Sequence, residues 1–243
     1  MGEHTIREIL RRRSPETQRA LQRRRELQGG KGDSPLKARI IAAGAAIAIL
    51  ACIGYVLNLG HTADKRLLES RGTRGSDALV LSDATAFLSN TVLASTDPAF
   101  YDKSRGSLLT RHLVRVYFPD AGYFTITIMA MSLEMNNPKT AILEAYINDV
   151  GFVANQGHPI KGFSAASGYY FNKPFAQLAP QEVALLVALT DDPEGLDPRQ
   201  HADKALAARN LVLQDDLVQN VLSQAQVDAL LKAPLAVTPH PAP

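Results

Sequence analysis

Ile40 to Leu59 reads IIAAGAAIAILACIGYVLNL, about twenty residues without a charged side chain. At about 1.5 Å per residue in an α-helix the run measures about 30 Å, the thickness of a bilayer's hydrocarbon core. A buried core helix of that length keeps a polar face, and this run has none. It is also too long, and starts too far from the N-terminus, for the apolar stretch of a signal peptide. One membrane-spanning helix therefore divides the 243 residues. A short arm precedes it, and enough chain follows for a single globular domain.

Charge sets the orientation. The formal net charge is +2, but Met1 to Arg39 holds eleven Lys and Arg against five Asp and Glu. The arm is thus about +6 and the remainder about −4. Arg11-Arg12-Arg13, Arg23-Arg24-Arg25, Lys31, Lys37 and Arg39 precede the apolar run, whereas Asp64, Lys65, Arg66 and Glu69 after it are mixed. By the positive-inside rule the N-terminus is cytoplasmic and everything after about Gly60 lies outside. The arm's Ser14-Pro15-Glu16 has the chemistry of a helix start, and Thr17 to Gln28 predicts a basic helix stopping at Gly29-Gly30. Such a helix serves as a topology signal that adheres to anionic lipid heads, or as a docking helix for a cytoplasmic partner. Nucleic acid is not expected, because the globular part carries no basic stripe of its own. The one cysteine, Cys52, lies inside the apolar run, which excludes an intramolecular disulfide and a cysteine metal cluster.

The remaining chain reads as mainly α. Residues 83–95 repeat apolar positions with a helical period, as do Ala141, Ile142, Ala145, Tyr146 and Val150 after Pro138. Pro180 opens a nearly all-apolar helix through Leu189, which should be central. Ser223 and Gln226 form a capping box for a last helix through about Lys232. Gly151 to Phe163 reads as a loop. The expected organisation is a basic arm at 1–39, a span at 40–59, a linker at 60–76, a helical domain at 77–233 and a disordered tail at 234–243.

Three stretches of this domain carry a family resemblance. They are Ile142-Leu143-Glu144-Ala145-Tyr146-Ile147-Asn148, then Lys161-Gly162-Phe163 with Ala165-Ala166 and Tyr169-Tyr170-Phe171-Asn172-Lys173-Pro174, and lastly Ala208-Arg209-Asn210-Leu211-Val212-Leu213. In order and spacing, Asn137 to Val212 resembles the second half of the lipid II-using transglycosylase domain of class A penicillin-binding proteins, glycosyltransferase family 51. The resemblance implies a lysozyme-like helical fold lying against the membrane behind one anchoring helix. It also implies a cell inner membrane location, single-pass, with the domain periplasmic.

The first half departs from the family's pattern. Where the family has Glu-Asp-x-x-Phe-x-x-His, this chain has Thr96-Asp97-Pro98-Ala99-Phe100-Tyr101-Asp102-Lys103. Where it has Gly-Ser-Thr-Ile-Thr-Gln-Gln-Leu-Val-Lys-Asn, this chain has Gly106-Ser107-Leu108-Leu109-Thr110-Arg111-His112-Leu113-Val114-Arg115-Val116. Some twenty-odd residues of the membrane-facing jaw that separate the two stretches in the family are missing here. Counting back from Ile142, the glutamate of the family's Arg-Lys-x-x-Glu falls on Ile126 and its basic pair on Gly122-Tyr123.

Sugar transfer from a lipid diphosphate needs a carboxylate to take the proton of the attacking hydroxyl, help worth about 10²–10⁴-fold. It also needs fixed cationic or hydrogen-bonding groups on the leaving diphosphate. With Thr96 and Ile126 at the glutamate positions, no catalytic residue is expected. The nearest acid, Asp97, already has its own place in the family pattern. Asp102 and Glu134 read as solvated or salt-bridged, and Glu144 as a structural hydrogen-bond partner. Lys103, Ser107, Thr110, Arg111, His112 and Arg115 are the candidate diphosphate or lipid-head ligands, since Arg bonds phosphate in bidentate fashion. The competing reading of these cations is a solvated basic face near anionic lipid. His112 and His158 do not have a metal-ligand spacing, and neither a metal nor a cofactor is expected. The expected function is that of a catalytically inactive binder or scaffold, for lipid II, glycan strands, or cell-wall synthesis or envelope-spanning proteins. A residual transferase is the alternative, and a part in a secretion machine the weaker third.

Overall fold

The structure is a computed structural model that describes residues 19–20, 22–24, 35–82, 85–102, 106–155 and 158–238. It comprises two compact units, Met1–Gly54 and Tyr55–Pro243. Helix α1, Pro35–Gly72, runs across the boundary between them. In the first unit, residues 36–54 of α1 are exposed and almost wholly apolar, and α1 is long and apolar enough to cross a membrane. Helix continues at both ends beyond the expected 40–59 span. Of the predicted basic helix, residues 19–20 and 22–24 are helical and the rest lies outside the described residues.

The second unit begins with the end of α1, whose Leu59, Ala63 and Leu67 are buried in its core. Among the described residues eight α-helices follow: α2 (Ala86–Thr96), α3 (Leu108–Tyr117), α4 (Tyr123–Asn136), α5 (Lys139–Asp149), α6 (Gly162–Phe171), α7 (Pro180–Leu189), α8 (Ala202–Val218) and α9 (Gln224–Leu230). The first half of the expected α2 includes Asp83, which lies outside the described residues. Helix α7 is the centre, with Glu182 through Leu189 all buried, as its unbroken apolar run predicts. Its one buried acid is satisfied twice: Glu182 accepts from the Ala179 N–H at 2.8 Å and pairs with Lys173 at 2.6 Å. Ser223 caps α9, its side chain accepting from the Gln226 N–H, while Gln226 Oε1 accepts from the Ser223 N–H at 2.9 Å.

The segment expected as a loop is a β-hairpin, β1 (Gly151–Asn155) paired antiparallel with β2 (His158–Lys161). Its strands are too short for an alternating pattern to stand out. What fixes the hairpin is Phe152, buried edge-on against Phe163 and Tyr170. Gly162 turns the chain back into α6 with φ +78°, and a Cβ there would strike the Asn148 carbonyl. Only glycine fits such a position.

The expected tail also starts differently. Leu235 and Val237 pack on the core, and Thr238 donates from its N–H to the Tyr170 carbonyl at 2.8 Å. Residues 239–243 lie outside the described residues. Near this end Arg209 is fully buried, donating to the Ala233 carbonyl at 2.6 Å and to the Leu231 carbonyl at 3.4 Å.

Candidate functional site

Beside α4 lies a cleft of about 920 Å³, lined by Gly106, Ser107 and Arg111 around the α3 start, by Thr127, Ala130, Met131, Glu134, Met135 and Asn136 of α4, and by Asn137, Pro138 and Lys139. Ser107 is the N-cap of α3: its hydroxyl accepts from the Thr110 N–H at 3.0 Å and donates to Asp97 Oδ2 at 2.6 Å. Asp97, at the C-terminal end of α2, is buried and also accepts from the Leu109 N–H at 3.3 Å. A carboxylate at a helix N-terminus satisfies orphan amides and the macrodipole together. Asp97 is therefore a helix-positioning group. The Ser107 N–H goes the other way, to Glu134 Oε1 at 3.0 Å.

Glu134 is the one carboxylate among the described residues lining the cleft. Its second oxygen pairs with Lys139 Nζ at 3.2 Å, and that ammonium sits 4.5 Å from the centre of the Phe100 ring. Lys139 stands at the first position of α5, where the helix dipole disfavours a cation; Glu134 and the ring compensate.

The structure splits the six predicted ligands. Ser107 and Arg111 line the cleft, with Arg111 Nε donating to the Ser107 carbonyl at 3.4 Å. Arg115, one turn on, is exposed and not among the lining residues. Thr110 is fully buried and does not line the cleft. His112 turns to the interior, with Nδ1 at 3.3 Å from the Tyr146 hydroxyl. Lys103, like Arg105, lies outside the described residues. The split follows from helix geometry: consecutive residues are about 100° apart, so Thr110, Arg111 and His112 face different ways. Asn136, Asn137 and Lys139 join the cleft from the junction of α4 and α5 without being singled out by the sequence; a lysine in the first turn of a helix is the available signal.

Thr96 closes α2 beside a separate polar group made by His112, Tyr146 and Thr190. The Tyr146 hydroxyl donates to Thr190 Oγ1 at 3.3 Å, and burial pushes its pKa up to about 12, opposed by bonds from Thr190 and Thr96. Burial holds His112 below its usual range, partly offset by Asp191. Burial raises the Asp191 carboxyl, with His112 opposing and Asp215 adding. Ile126 is buried at 3% exposure, in the core rather than the cleft.

The stretch Ile142 to Asn148 holds the segment after α1. Glu144 pairs with Arg74 at 2.9 Å, and Asn148 both accepts from the Leu79 N–H at 2.9 Å and donates to its carbonyl at 2.8 Å. The next residue, Asp149, accepts from the Tyr117 hydroxyl at 2.6 Å and from Ser70.

Residues 100–216 match the transglycosylase family model. The chain is 33% identical over 139 residues to penicillin-binding protein 1B of Escherichia coli, covering 55% of this chain and 16% of that protein. It is 35% identical over 144 residues to penicillin-binding protein 1C of E. coli (58% and 18%). To penicillin-binding protein 1A of Haemophilus influenzae it is 27% identical over 207 residues (74% and 24%). The crystal structure of that last protein superposes with a TM-score of 0.45 at 22% identity, over 66% of this chain and 18% of the other. The chain thus spans less than a quarter of the length of these relatives. Over residues 100–216 the chain is thus similar to the transglycosylase family, and it is similar to parts of these penicillin-binding proteins.

Proposed function

We propose that this is a catalytically inactive relative of the peptidoglycan glycosyltransferases. It is anchored by α1 in the inner membrane with its arm cytoplasmic and its domain periplasmic, and it binds lipid-linked precursor or glycan in the cleft. The observation that carries the reading is the state of the cleft's one carboxylate among the described residues. Glu134 is held by the Ser107 amide and the Lys139 ammonium. A base so engaged is poorly placed to take a sugar proton. The positions where the resemblance puts the family's glutamates hold Thr96, which has no useful basicity, and the buried Ile126. Arg111 and Lys139 leave cationic chemistry suited to a diphosphate. Scaffolding of cell-wall or envelope machinery is compatible with the same surface.

The test is paired: lipid II binding and glycan polymerisation by the detergent-solubilised full chain, with an active relative as control. Binding without polymer, weakened by Arg111→Ala, is the expected result; polymer would overturn it. A second reading, residual transfer, is favoured only by the presence of Glu134 in the cleft. Under it, Glu134→Gln abolishes polymerisation, whereas Asp97→Asn chiefly loosens the start of α3.

A further inference from the structure

Most polar side chains that line the cleft already use their hydrogen bonds on the fold. Both N–H groups of the Asn136 amide are engaged, donating to Asp64 Oδ2 at 2.7 Å and to Ser132 Oγ at 3.2 Å. Those of Asn137 go to Asp64 Oδ1 at 2.8 Å and to the Leu133 carbonyl at 3.1 Å. A carboxylate accepts and does not donate, so Asp64 fixes which way round each amide sits. What Asn136 and Asn137 keep for a ligand is one carbonyl oxygen each, an acceptor. Thr127 donates its hydroxyl proton to the Tyr123 carbonyl at 2.8 Å, so it too has lone pairs to offer and no proton.

Donors are fewer. Lys139 Nζ is buried between Glu134 and the Phe100 ring, so it lends charge to the cleft without meeting what enters it. Ser107 has its hydroxyl proton on Asp97. Among the described lining side chains that leaves the Arg111 guanidinium, tied at Nε to the Ser107 carbonyl, with Nη1 and Nη2 left to donate. Ala130, Met131, Met135 and Pro138 form the apolar wall. Arg111 and Lys139 against Glu134 give the described lining a net charge of +1.

A complementary ligand brings donors to the two asparagine carbonyls, one negative charge to Arg111, and small apolar groups to the wall. The positive charge that suits a diphosphate suits a carboxylate equally, and the acceptors decide between them. A diphosphate brings acceptors alone, which the Asn136 and Asn137 carbonyls repel. An uncharged sugar brings hydroxyl donors and no anion. A peptide with a free carboxylate brings all three: N–H groups in series, short side chains, and a planar anion that arginine holds by two parallel bonds. A cleft of about 920 Å³ is large enough to enclose such a chain of a few residues. We propose that the cleft holds a short peptide, its carboxylate on Arg111 and its N–H groups on the Asn136 and Asn137 carbonyls. This rests on the reading of the cleft as the ligand site, and it says which part of a wall precursor enters: its peptide.

The test uses the full chain in detergent, with displacement of labelled lipid II and saturation-transfer NMR for direct binding. The peptide probes are diacetyl-lysyl-D-alanyl-D-alanine as the free acid, its C-terminal amide, and the ester analogue that lacks the last N–H. The fourth probe, UDP-N-acetylglucosamine, carries a diphosphate and no peptide. The acid should bind and displace lipid II, the amide and the ester each about tenfold more weakly. UDP-N-acetylglucosamine should not displace it. In Arg111→Gln the acid and the amide should bind alike. In Arg111→Lys, which keeps the charge but not the fork, part of the difference should remain. Equal binding of acid, amide and ester to the unsubstituted chain overturns the proposal. Displacement by UDP-N-acetylglucosamine and not by the acid also overturns it, and leaves the cleft standing as a precursor site. Arg111-dependent binding of the acid without binding of lipid II supports the peptide and makes a protein C-terminus its source. Binding of neither overturns both readings.

Discussion

Helices α4 and α5 are neighbours, joined across Asn137 and Pro138, yet they use their side chains in opposite ways. On α5 the polar groups are committed to holding other chain: Glu144 to Arg74, Asn148 to the Leu79 backbone, Asp149 to Tyr117. On α4 the charged and amide groups, Glu134 and Asn136, sit at the C-terminal end, and the rest carries no charge and only hydroxyls for polar side chains. The helix whose residues resemble the family is the one whose side chains build the fold. The fold leaves the outer face of the other helix, α4, open.

The largest effect should come from the turn that seats α6 against α5. Gly162→Ala forces a Cβ into the Asn148 carbonyl at positive φ and should cost about 3 kcal/mol, read as a lowered midpoint in chemical denaturation. Glu144→Ala should cost about 2 kcal/mol, because it leaves Arg74, with its side chain only 11% exposed, without its closest acceptor. A loss under about 0.5 kcal/mol in either variant would break the contrast between the two helices.

Asp216 on α8 is where the well-satisfied half makes an exception. Thr91 donates to its Oδ2 at 3.1 Å, but Oδ1 is buried without a partner. Burial pushes the carboxyl up to about 7, with the Thr91 bond opposing and Asp215 adding. Between about pH 4 and pH 7 the folded chain keeps a proton that the unfolded chain has released, so this group's contribution to stability falls as pH rises through that window and is level above it. Asp216→Asn should flatten that slope and stabilise by about 1–2 kcal/mol at pH 8, with little change at pH 4; melting curves at the two pH values read it. The smallest effect belongs to α4: in detergent, Phe124→Ser should shift stability by less than about 0.5 kcal/mol. A larger loss would mean that the outer face packs within the fold after all.

Much of this was legible beforehand. The unbroken apolar run of α7, the Ser223 and Gln226 pair of α9 and the Pro138 start of α5 are local signals, and each produced the expected element. The hairpin was not, because its order comes from Phe152 meeting Phe163 and Tyr170 across sequence. The basic cluster spreads over several faces for a related reason. Nearness in sequence is not nearness in space: the roughly 100° between consecutive helical residues sends Arg111 to the cleft and His112 to Tyr146. Asn136, Asn137 and Lys139 escaped notice because a cleft assembled across a helix junction has no period to detect.

The buried guanidinium of Arg209 also bears on the order of synthesis. Its acceptors include the Leu231 and Ala233 carbonyls, which leave the ribosome some two dozen residues after it does. Until they arrive, α8 would have to bury a positive charge with two of its acceptors missing, at a cost of several kcal/mol. A nascent chain of this protein should therefore remain open to chaperones and proteases until its final stretch has emerged, and truncation before Leu231 should yield degradation rather than a smaller domain.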